Sequence, residues 1–359
     1  MRATGDKQAD SYLSITPTLA AATRTESRDI GLNLAVGGNW FLDRPEYNAT
    51  DYLANLASNW RAELDQWRLS AGSKRDSTLQ SELDATGTVM TRRQRTLDSL
   101  QGTWVHAFSD LWSANAGYGA SRASYESGPG LVDYDDQVAT AALQSTLSDS
   151  ASLSLGLSSR EFRTRDDRLK TQVDGISLGG NWQYSERLGL GLSIGRQWTK
   201  SDQKYDAGCI VVIAGVLGNC YPAGTTHSES SGATYSGNAG YQFEQGSLAF
   251  NASRGMVASG TGSLLRTDAI GLGYSHQLDQ FLSLNLGANN TRSRNVDVDG
   301  NDSRYTSLSS SISWQLDERL AFGLGYSHSR QRSGGGDPVK NNTVFLNLNW
   351  KLAPISRGW

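Results

Sequence analysis

Long apolar runs, cysteine, histidine and basic charge are all scarce in this chain of 359 residues. No run of ~18 apolar residues occurs, which excludes a transmembrane helix. The chain has 33 Lys and Arg against 36 Asp and Glu, a net charge of -3, so it lacks the basic surplus of a nucleic-acid-binding protein. A mean hydropathy of -0.47 is typical of a polar protein, yet 10 Trp and 14 Tyr are a generous supply of aromatic residues.

The chain has only 2 cysteines, Cys209 and Cys220, which bracket a short apolar segment. They indicate either a loop-closing disulfide in an oxidising compartment or two unpaired thiols. We favour the disulfide, which would stabilise the fold by roughly 3 kcal/mol. A zinc site needs further ligands, and no His or third Cys stands at a suitable spacing.

What the sequence does contain is alternation of apolar with small polar residues along most of its length. In "RLGLGLSIGRQW" the leucines and the isoleucine point one way, while Gly and Ser point the other. A soluble sandwich would carry charged residues on its second face, whereas this face is Gly, Ser and Asn. That pattern is typical of a barrel whose apolar face meets lipid and whose polar face lines a wet lumen.

Connections of two lengths separate these strands. Short turns such as "SER" and "LDER" alternate with long charged segments, and aromatic residues such as Trp60, Trp67 and Trp104 cluster beside the short turns. Short turns on one side, long loops on the other and an aromatic belt describe an outer-membrane barrel. We therefore predict an all-β, transmembrane, antiparallel up-and-down β-barrel of about 16–18 strands, with short periplasmic turns and long extracellular loops.

The predicted barrel is a single domain over residues 1–359, with an N-terminal tail at 1–9 and a long extracellular loop at 204–227. About seventeen strands can be counted, although bacterial barrels prefer an even number. Either an initial ascending strand precedes this chain or the count is off by one. The first residues also lack the apolar region of a signal peptide.

Two groups of side chains are candidate sites. Residues that share the polar phase and would line the lumen are Asn33, Asn39, Arg68, Asn115, Asn181, Asn285, Asn347, Asn349 and Lys351. They would either bind sugar hydroxyls weakly or simply fill the lumen. Arginines at the extracellular strand ends would form a rim, namely Arg160, Arg163, Arg165, Arg292, Arg294, Arg330 and Arg332. That rim would either pair with lipopolysaccharide phosphates or form an electropositive mouth for an anionic polymer.

Catalytic and metal chemistry find little support. The stretch "NVDVDGND" places Asn295, Asp297 and Asp299 like the opening of a calcium loop, but Thr306 stands where a bidentate acid is needed, so an acidic surface loop is favoured. The 4 histidines form no spaced cluster with Ser and an acid. We therefore predict no cofactor and no enzyme, and keep an outer-membrane hydrolase only as a third hypothesis.

The segments "RLSAGSKRDSTLQSELDATGTVMTRRQR", "LQGTWVHAFSD" and "YESGPGLVDYDDQVATAALQSTLSD" resemble outer-membrane β-barrel proteins associated with exopolysaccharide operons and PEP-CTERM systems. The resemblance runs from about Ser14 to Leu352, and the part at 68–135 is the most distinctive. It implies a role in extracellular polysaccharide export and a strand before this chain begins. It brings no catalytic residues.

These observations lead to a functional hypothesis. The chain is expected in the outer membrane of a Gram-negative bacterium, as a monomeric barrel that contacts lipid and lipopolysaccharide and binds no nucleic acid. The leading hypothesis is a passive pore or assembly component for polysaccharide export, with polysaccharide and a periplasmic export component as partners. The alternative is a general or nutrient diffusion porin.

Overall fold

The computed structural model describes residues 9–87, 92–127, 130–209, 220–295, 302–334 and 336–352. Within these residues no helix is both long enough and apolar enough to cross a membrane. Nearly all of the regular structure is β-strand, together with one α-helix and one turn of 3-10 helix at Pro45–Tyr47.

The strands follow one another along the chain with short interruptions. Their bounds are β1 Tyr12–Ile15, β2 Thr18–Arg24, β3 Arg28–Phe41, β4 Ala49–Arg61, β5 Asp65–Ser77, β6 Gln94–Ala107, β7 Trp112–Tyr125, β8 Tyr134–Ser148, β9 Ala151–Thr164, β10 Leu169–Gln183, β11 Leu188–Tyr205, β12 Gly208–Cys209, β13 Cys220–Tyr221, β14 Gly224–Gln242, β15 Gly246–Ser259, β16 Ser263–Gln277, β17 Leu282–Asn295, β18 Ser303–Gln315, β19 Leu320–Ser333 and β20 Val339–Trp350. The helix α1 spans Thr78–Thr86, between β5 and β6.

Eighteen of these strands form one antiparallel up-and-down sheet, in which strands pair in the order of the sequence except that β1 pairs with β3 and β11 with β14. The predicted fold class is therefore confirmed. The sheet has seventeen positions across its width, because β1 and β2 pair with successive parts of β3. β12 and β13 form a separate two-stranded ladder above the wall.

Among the described residues, the sheet has two edges without a pairing partner, β20 at one side and β1 with β2 at the other. In the part of the chain that the structure describes, β20 pairs only with β19, and β1 and β2 pair only with β3. With seventeen antiparallel positions, the first and last strands run in the same direction. Leu346 and Leu348 on β20 are 68% and 67% exposed, against 46% for Leu324 on the neighbouring strand.

Alternation along each strand separates an outer from an inner face. On β11 the outward Leu192 and Ile194 are 64% and 57% exposed, and the interleaved Ser193 points to the other side. Leucines, tryptophans and tyrosines on the other strands have the same exposed placement. Large apolar side chains without protein cover identify this face as the lipid-facing one.

The connections at the two ends of the sheet differ as expected. At one end, the short-turn end, turns of two to four residues join the strands, beginning at 25–27 and finishing at 316–319. At the opposite end, the long-loop end, some connections are shorter than predicted. Only 165–168 separates β9 from β10, and the loop predicted at 204–227 is reduced to 206–223 because β11 and β14 extend into it. The charged segments there continue the strand ladder above the apolar band.

The two cysteines lie opposite each other in the small ladder. Cys209 of β12 pairs with Cys220 of β13 in antiparallel register. Their side chains fall outside the described part of the chain, so the disulfide stays a prediction. The backbone pairing by itself brings the two positions together.

The assignment of faces predicts opposite results for adjacent substitutions on β11. Leu192→Lys places a charge in lipid, which costs about 2–4 kcal/mol near the bilayer midplane. Ser193→Lys extends its side chain into the lumen and should change stability by less than about 1 kcal/mol. Urea unfolding of the two variants in phospholipid vesicles measures this difference. Equal destabilisation by both would contradict the assignment.

Candidate functional site

The helix α1 is defined by its capping residues. The Ser77 side chain accepts a hydrogen bond from the Leu79 N–H at 3.3 Å, and the helix ends at Gly87, whose φ of 68° is the left-handed conformation that favours glycine. The Gly87 N–H donates to the Leu83 carbonyl at 2.9 Å. Since β5 ends at Ser77, the chain passes from wall to helix without a loop.

The helix crosses the inside of the barrel at the long-loop end. It contacts β5, from which it emerges, and also β15 and β17. The Ser303 hydroxyl of β18 donates to the Gly87 carbonyl at 2.7 Å. A short helix can reach strands so far apart in the order of the sheet only from the concave side. This contact pattern identifies the inner face.

The tip of the β15–β16 hairpin also leaves the wall. Pairing between β14 and β15 reaches only to Arg254, above which β15 continues with β16 alone. The Gly260 carbonyl accepts a hydrogen bond from the Val132 N–H at 2.8 Å. Gly262, with φ of 74°, packs against Val132, where any Cβ would meet the valine side chain at 3.2 Å. The tip therefore lies against the loop between β7 and β8, inside the barrel.

Glu82 joins the helix to this tip. Its Oε1 accepts hydrogen bonds from the Tyr125 hydroxyl and from the Gly260 N–H, the second at 2.9 Å. The Glu82 residue is only 3% exposed. Burial raises the pKa of the Glu82 carboxyl, and the two hydrogen bonds oppose that shift. We call Glu82, Tyr125 and Gly260 the Glu82 latch.

Apolar and ionic contacts surround the latch. A buried cluster packs beside it, made of Ala123, Tyr134, Phe162, Leu169, Val173 and Leu264. Arg160 forms a two-fold hydrogen-bonded pair with Asp136 at 2.6 and 2.8 Å, and also donates to the Met256 carbonyl of the hairpin. Inward-facing residues at this end of the wall are therefore buried by protein, in contrast to the wet lumen below.

Below the latch, the inner wall is lined by amides and small residues. Asn181, Gly191 and Asn238 are direct neighbours on β10, β11 and β14. The trio of Asn251, Gly271 and Asn289 repeats the arrangement on β15, β16 and β17. In both trios the two amide oxygens lean over the central glycine. A hollow of about 430 Å³ adjoins Asn181 and Asn238 near the short-turn end.

The residues predicted to line the lumen fall on the inner face. Asn33, Asn39, Arg68, Asn115, Asn181, Asn285, Asn347 and Asn349 all have the inward phase of their strands, and Lys351 follows the last residue of β20. Asn39 donates to the Asp51 carboxylate at 2.7 Å, so that amide is already engaged. Contact of these side chains with a solute stays a prediction.

The predicted rim divides into two groups. Arg163, Arg292, Arg294, Arg330 and Arg332 project from the outer face, and Arg165 lies in the loop after β9, 3.4 Å from Asp133. Arg160 differs, because its position on β9 points inward to the latch, where it is paired with Asp136. The prediction that Arg160 belongs to the extracellular rim is therefore wrong.

The weak calcium candidate is only partly described. Asn295 ends β17, while Asp297 and Asp299 lie outside the described residues. Within the described residues no three His, Cys, Asp or Glu side chains group as metal ligands.

The sequence predicted none of the latch. A signal for the helix was present, because Ser77 and Gln80 have the spacing of a capping box and Gly87 follows as a stop. The hairpin tip had a weaker signal in its two glycines, Gly260 and Gly262. No local pattern indicates that these two segments meet.

Comparisons with known proteins support the fold. No protein-family model and no curated protein matches the chain. Among solved structures, the ferric-catecholate import receptor Fiu of Escherichia coli in its open form matches with a TM-score of 0.51 and 12% identity, over 98% of this chain and 75% of that one. The closed form of Fiu matches with a TM-score of 0.47 and 13% identity, over 91% of this chain and 65% of that one. The ferric yersiniabactin uptake receptor FyuA of Yersinia pestis matches with a TM-score of 0.47 and 11% identity, over 90% of this chain and 60% of that one.

These comparisons correct the functional hypothesis. The lipid-facing outer surface and the likeness of fold to Fiu in its open form agree with the predicted outer-membrane β-barrel. Polysaccharide export is wrong: Fiu in its open form, which shares the fold, is named as an import receptor, and the diffusion porin and the hydrolase do not match it either. A periplasmic export component finds no support. The resemblance to the exopolysaccharide-associated family stays a prediction.

The latch predicts a specific loss of protection from hydrogen exchange. Glu82→Ala removes the acceptor of the Gly260 N–H, which should lower the free energy of local opening by about 2 kcal/mol and speed exchange of that amide about thirtyfold. Glu82→Gln retains an acceptor oxygen and should change exchange far less. Mass spectrometry of the peptide containing 259–263 makes the measurement. Equal protection in wild type and Glu82→Ala would show that Glu82 does not hold the tip.

The raised pKa of Glu82 predicts a pH dependence of the same contact. A carboxyl whose pKa is raised in the latched state binds its proton more tightly there than in the opened state, so the latched state gains stability as pH falls. That gain is lost as pH rises from the ordinary glutamate value through the raised one. Exchange of 259–263, corrected for its intrinsic pH dependence, should therefore be slower in acid. Glu82→Gln should flatten this dependence.

Proposed function

We propose that this chain is the barrel of an outer-membrane receptor that imports a small polar solute, with α1 and the β15–β16 hairpin tip forming its gate. The Glu82 latch carries the proposal. Two segments of the wall cross the lumen and are fastened to each other by buried hydrogen bonds. Free diffusion is obstructed in such a barrel, and passage requires the latch to open.

The chemistry of the gate supports a two-state element. Glu82 is a buried carboxyl among few charges, and Arg95 and Asp76 are its nearest ionic neighbours in the helix region. Burial of a carboxyl costs free energy that its two hydrogen bonds partly offset. Because the burial cost and the hydrogen bonds partly cancel, the Glu82 latch can be opened by a modest competing interaction, such as a solute that binds at the long-loop end.

The lumen wall supports a polar solute. Its amide trios and serines offer many neutral donors and acceptors and little net charge. Repeated weak hydrogen bonds allow a solute to bind and to leave, which transport through a channel requires. No catalytic chemistry is part of the proposal, and the receptor acts by binding and release.

The solved structures with the same fold support import as the direction. Fiu is named as a ferric-catecholate import receptor, and other structures of lower similarity are named as a copper transporter and a ferric citrate transporter. At 12% identity the likeness of Fiu extends to the fold alone. These names therefore define the panel of solutes to be tried.

The proposal is tested by uptake into cells that carry or lack the gene. Radiolabelled iron bound to a catecholate or to citrate, and copper ions, are supplied at low concentration, and a branched dextran serves as a polymer control. We expect saturable uptake of one of the small solutes only in cells that carry the gene, and no movement of dextran in either direction.

Conductance of the purified protein in planar bilayers tests whether the Glu82 latch closes the lumen. Wild type should conduct little, and Glu82→Ala should raise the time-averaged conductance severalfold, while Glu82→Gln should stay close to wild type. A wild-type barrel that is already as conductive as Glu82→Ala, or the absence of saturable uptake for the whole panel, would refute gated import.

A further inference from the structure

The outer face of β17–β20 carries a surplus of cations at the long-loop end. The side chains that project there are Arg292, Arg294, Arg304, Arg330, Arg332 and Lys340, which we call the basic patch. Two carboxylates lie beside these cations. Asp302 pairs with both Arg292 and Arg294, and Asp268, which stands opposite Arg292 in the register, pairs with Arg254. The hydrogen bond from Arg292 lowers the pKa of Asp302, and the charges of Arg294 and Arg304 also lower it, so this acid remains charged. Among the described residues, no carboxylate lies within ion-pair distance of the other four cations.

The register of the strands places these like charges directly opposite one another. Arg304 on β18 faces Arg292 on one side and Arg332 on the other. Arg330 on β19 faces Lys340 on β20. Directly opposed residues on one face have Cβ atoms about 4.5–5.5 Å apart, and like charges in such pairs destabilise a sheet. An anion held between them would turn this repulsion into attraction.

The opposite side of the barrel arranges its charges differently. Along one row of the outer face the opposed residues are Asp135, Arg163, Lys170 and Asp202, so the two facing cations each have a carboxylate on their other side. Ion pairs such as Arg122 with Asp135 at 2.7 Å and Lys170 with Glu161 at 3.1 Å balance that face. The surplus is therefore local to β17–β20 and is not a general property of the strand ends.

The height of the patch on the wall indicates what it contacts. Down the outer face of β19, Arg332 and Arg330 are followed by His328, Tyr326 and then Leu324. Tyr326 and His328 both hydrogen-bond the Asn342 side chain, at 2.9 and 2.7 Å. Tyrosine is typical of the membrane interface, and leucine below it faces hydrocarbon. The cations lie about 13 Å or more above the first leucine on their strand, at ~3.3 Å per residue before tilt, which is the level of lipid headgroups.

We propose that the basic patch binds the phosphate groups of a phosphorylated glycolipid of the outer leaflet, the lipopolysaccharide type of headgroup. Arginine binds phosphate through two parallel hydrogen bonds. Three arginines without a carboxylate in ion-pair distance face the membrane here: Arg304 and Arg332 are directly opposed, and Arg330 lies two residues below Arg332 on β19. The acyl chains of such a lipid would cover Leu308 and Leu324 below. Continuity of the patch with lipid-facing side chains favours a lipid over a soluble anion. The site specifies which part of the predicted rim binds lipid and is independent of the proposed import function.

The test uses the full-length protein, refolded in detergent and titrated with lipid A. Binding is followed by native mass spectrometry, with lipid A lacking both phosphates and inorganic phosphate alone as the comparison ligands. The variant Arg304→Gln/Arg330→Gln/Arg332→Gln removes three unpaired cations. The control Arg122→Gln/Lys170→Gln/Lys200→Gln removes three cations from the balanced face. Heat-dependent mobility on gels verifies that each variant is folded.

We expect wild type and the control to bind phosphorylated lipid A alike, and the patch variant to bind it about tenfold or more weakly, because several charge-assisted hydrogen bonds are lost. The dephosphorylated lipid should bind wild type as weakly as phosphorylated lipid binds the patch variant. Equal binding of lipid with and without phosphates, equal loss in both triple variants, or saturation by inorganic phosphate at the same concentration as lipid A would each overturn the proposal. Selective capture of an acidic protein in preference to lipid A by the same patch would overturn it as well.

Discussion

Hydrogen bonding of the backbone in a medium without water is the constraint on which this structure depends. Every N–H and C=O within the hydrocarbon must be paired inside the protein, and a sheet can satisfy them only through neighbouring strands. The chain meets this condition with long strands that each pair with the strands before and after them. Once the ladder is in place, side chains must alternate between lipid and lumen, and charge is tolerated only toward the strand ends. The outward leucines and the inward serines and asparagines follow from that geometry.

At the long-loop end, the alternation of side chains separates a buried inner face from an exposed outer face. There the inner face is covered by α1 and the hairpin tip, so that inward residues such as Thr291, Ser293 and Tyr305 are buried, while their outward neighbours are exposed arginines. Over the last few residues of these strands, the inner face is therefore the buried one and the outer face carries the charge. Small hydroxyl side chains suit this position because they fit beneath the helix and can satisfy one another, as Thr267 and Ser293 do at 3.0 Å.

Sequence reasoning predicted the wall and not what crosses it. Strands such as β11 were readable because alternation and turns are local properties, visible within a dozen residues. The bend of β15 above Arg254 is not local, since it depends on β14 ending its pairing there and on Val132 and Glu82 receiving the tip. Arg160 was misplaced for the same reason: its charge indicates a surface residue, but its phase on β9 and its partner Asp136 place it inside. The functional hypothesis was wrong because a Gly, Ser and Asn lumen is compatible with many solutes and does not indicate direction.

The contacts of the latch and the helix span far longer stretches of sequence than the contacts of the wall. Nearly all wall pairings join strands that follow one another in the chain, so closing each hairpin costs little chain entropy. The contacts of α1 are of another kind, because Glu82 meets Gly260 across 178 residues and Gly87 meets Ser303 across 216. The helix is synthesised early but has no partner until the sheet has curved far enough to bring β15 and β18 beneath it. The contacts that close the lumen therefore require all of the strands from β5 to β18 to be in place.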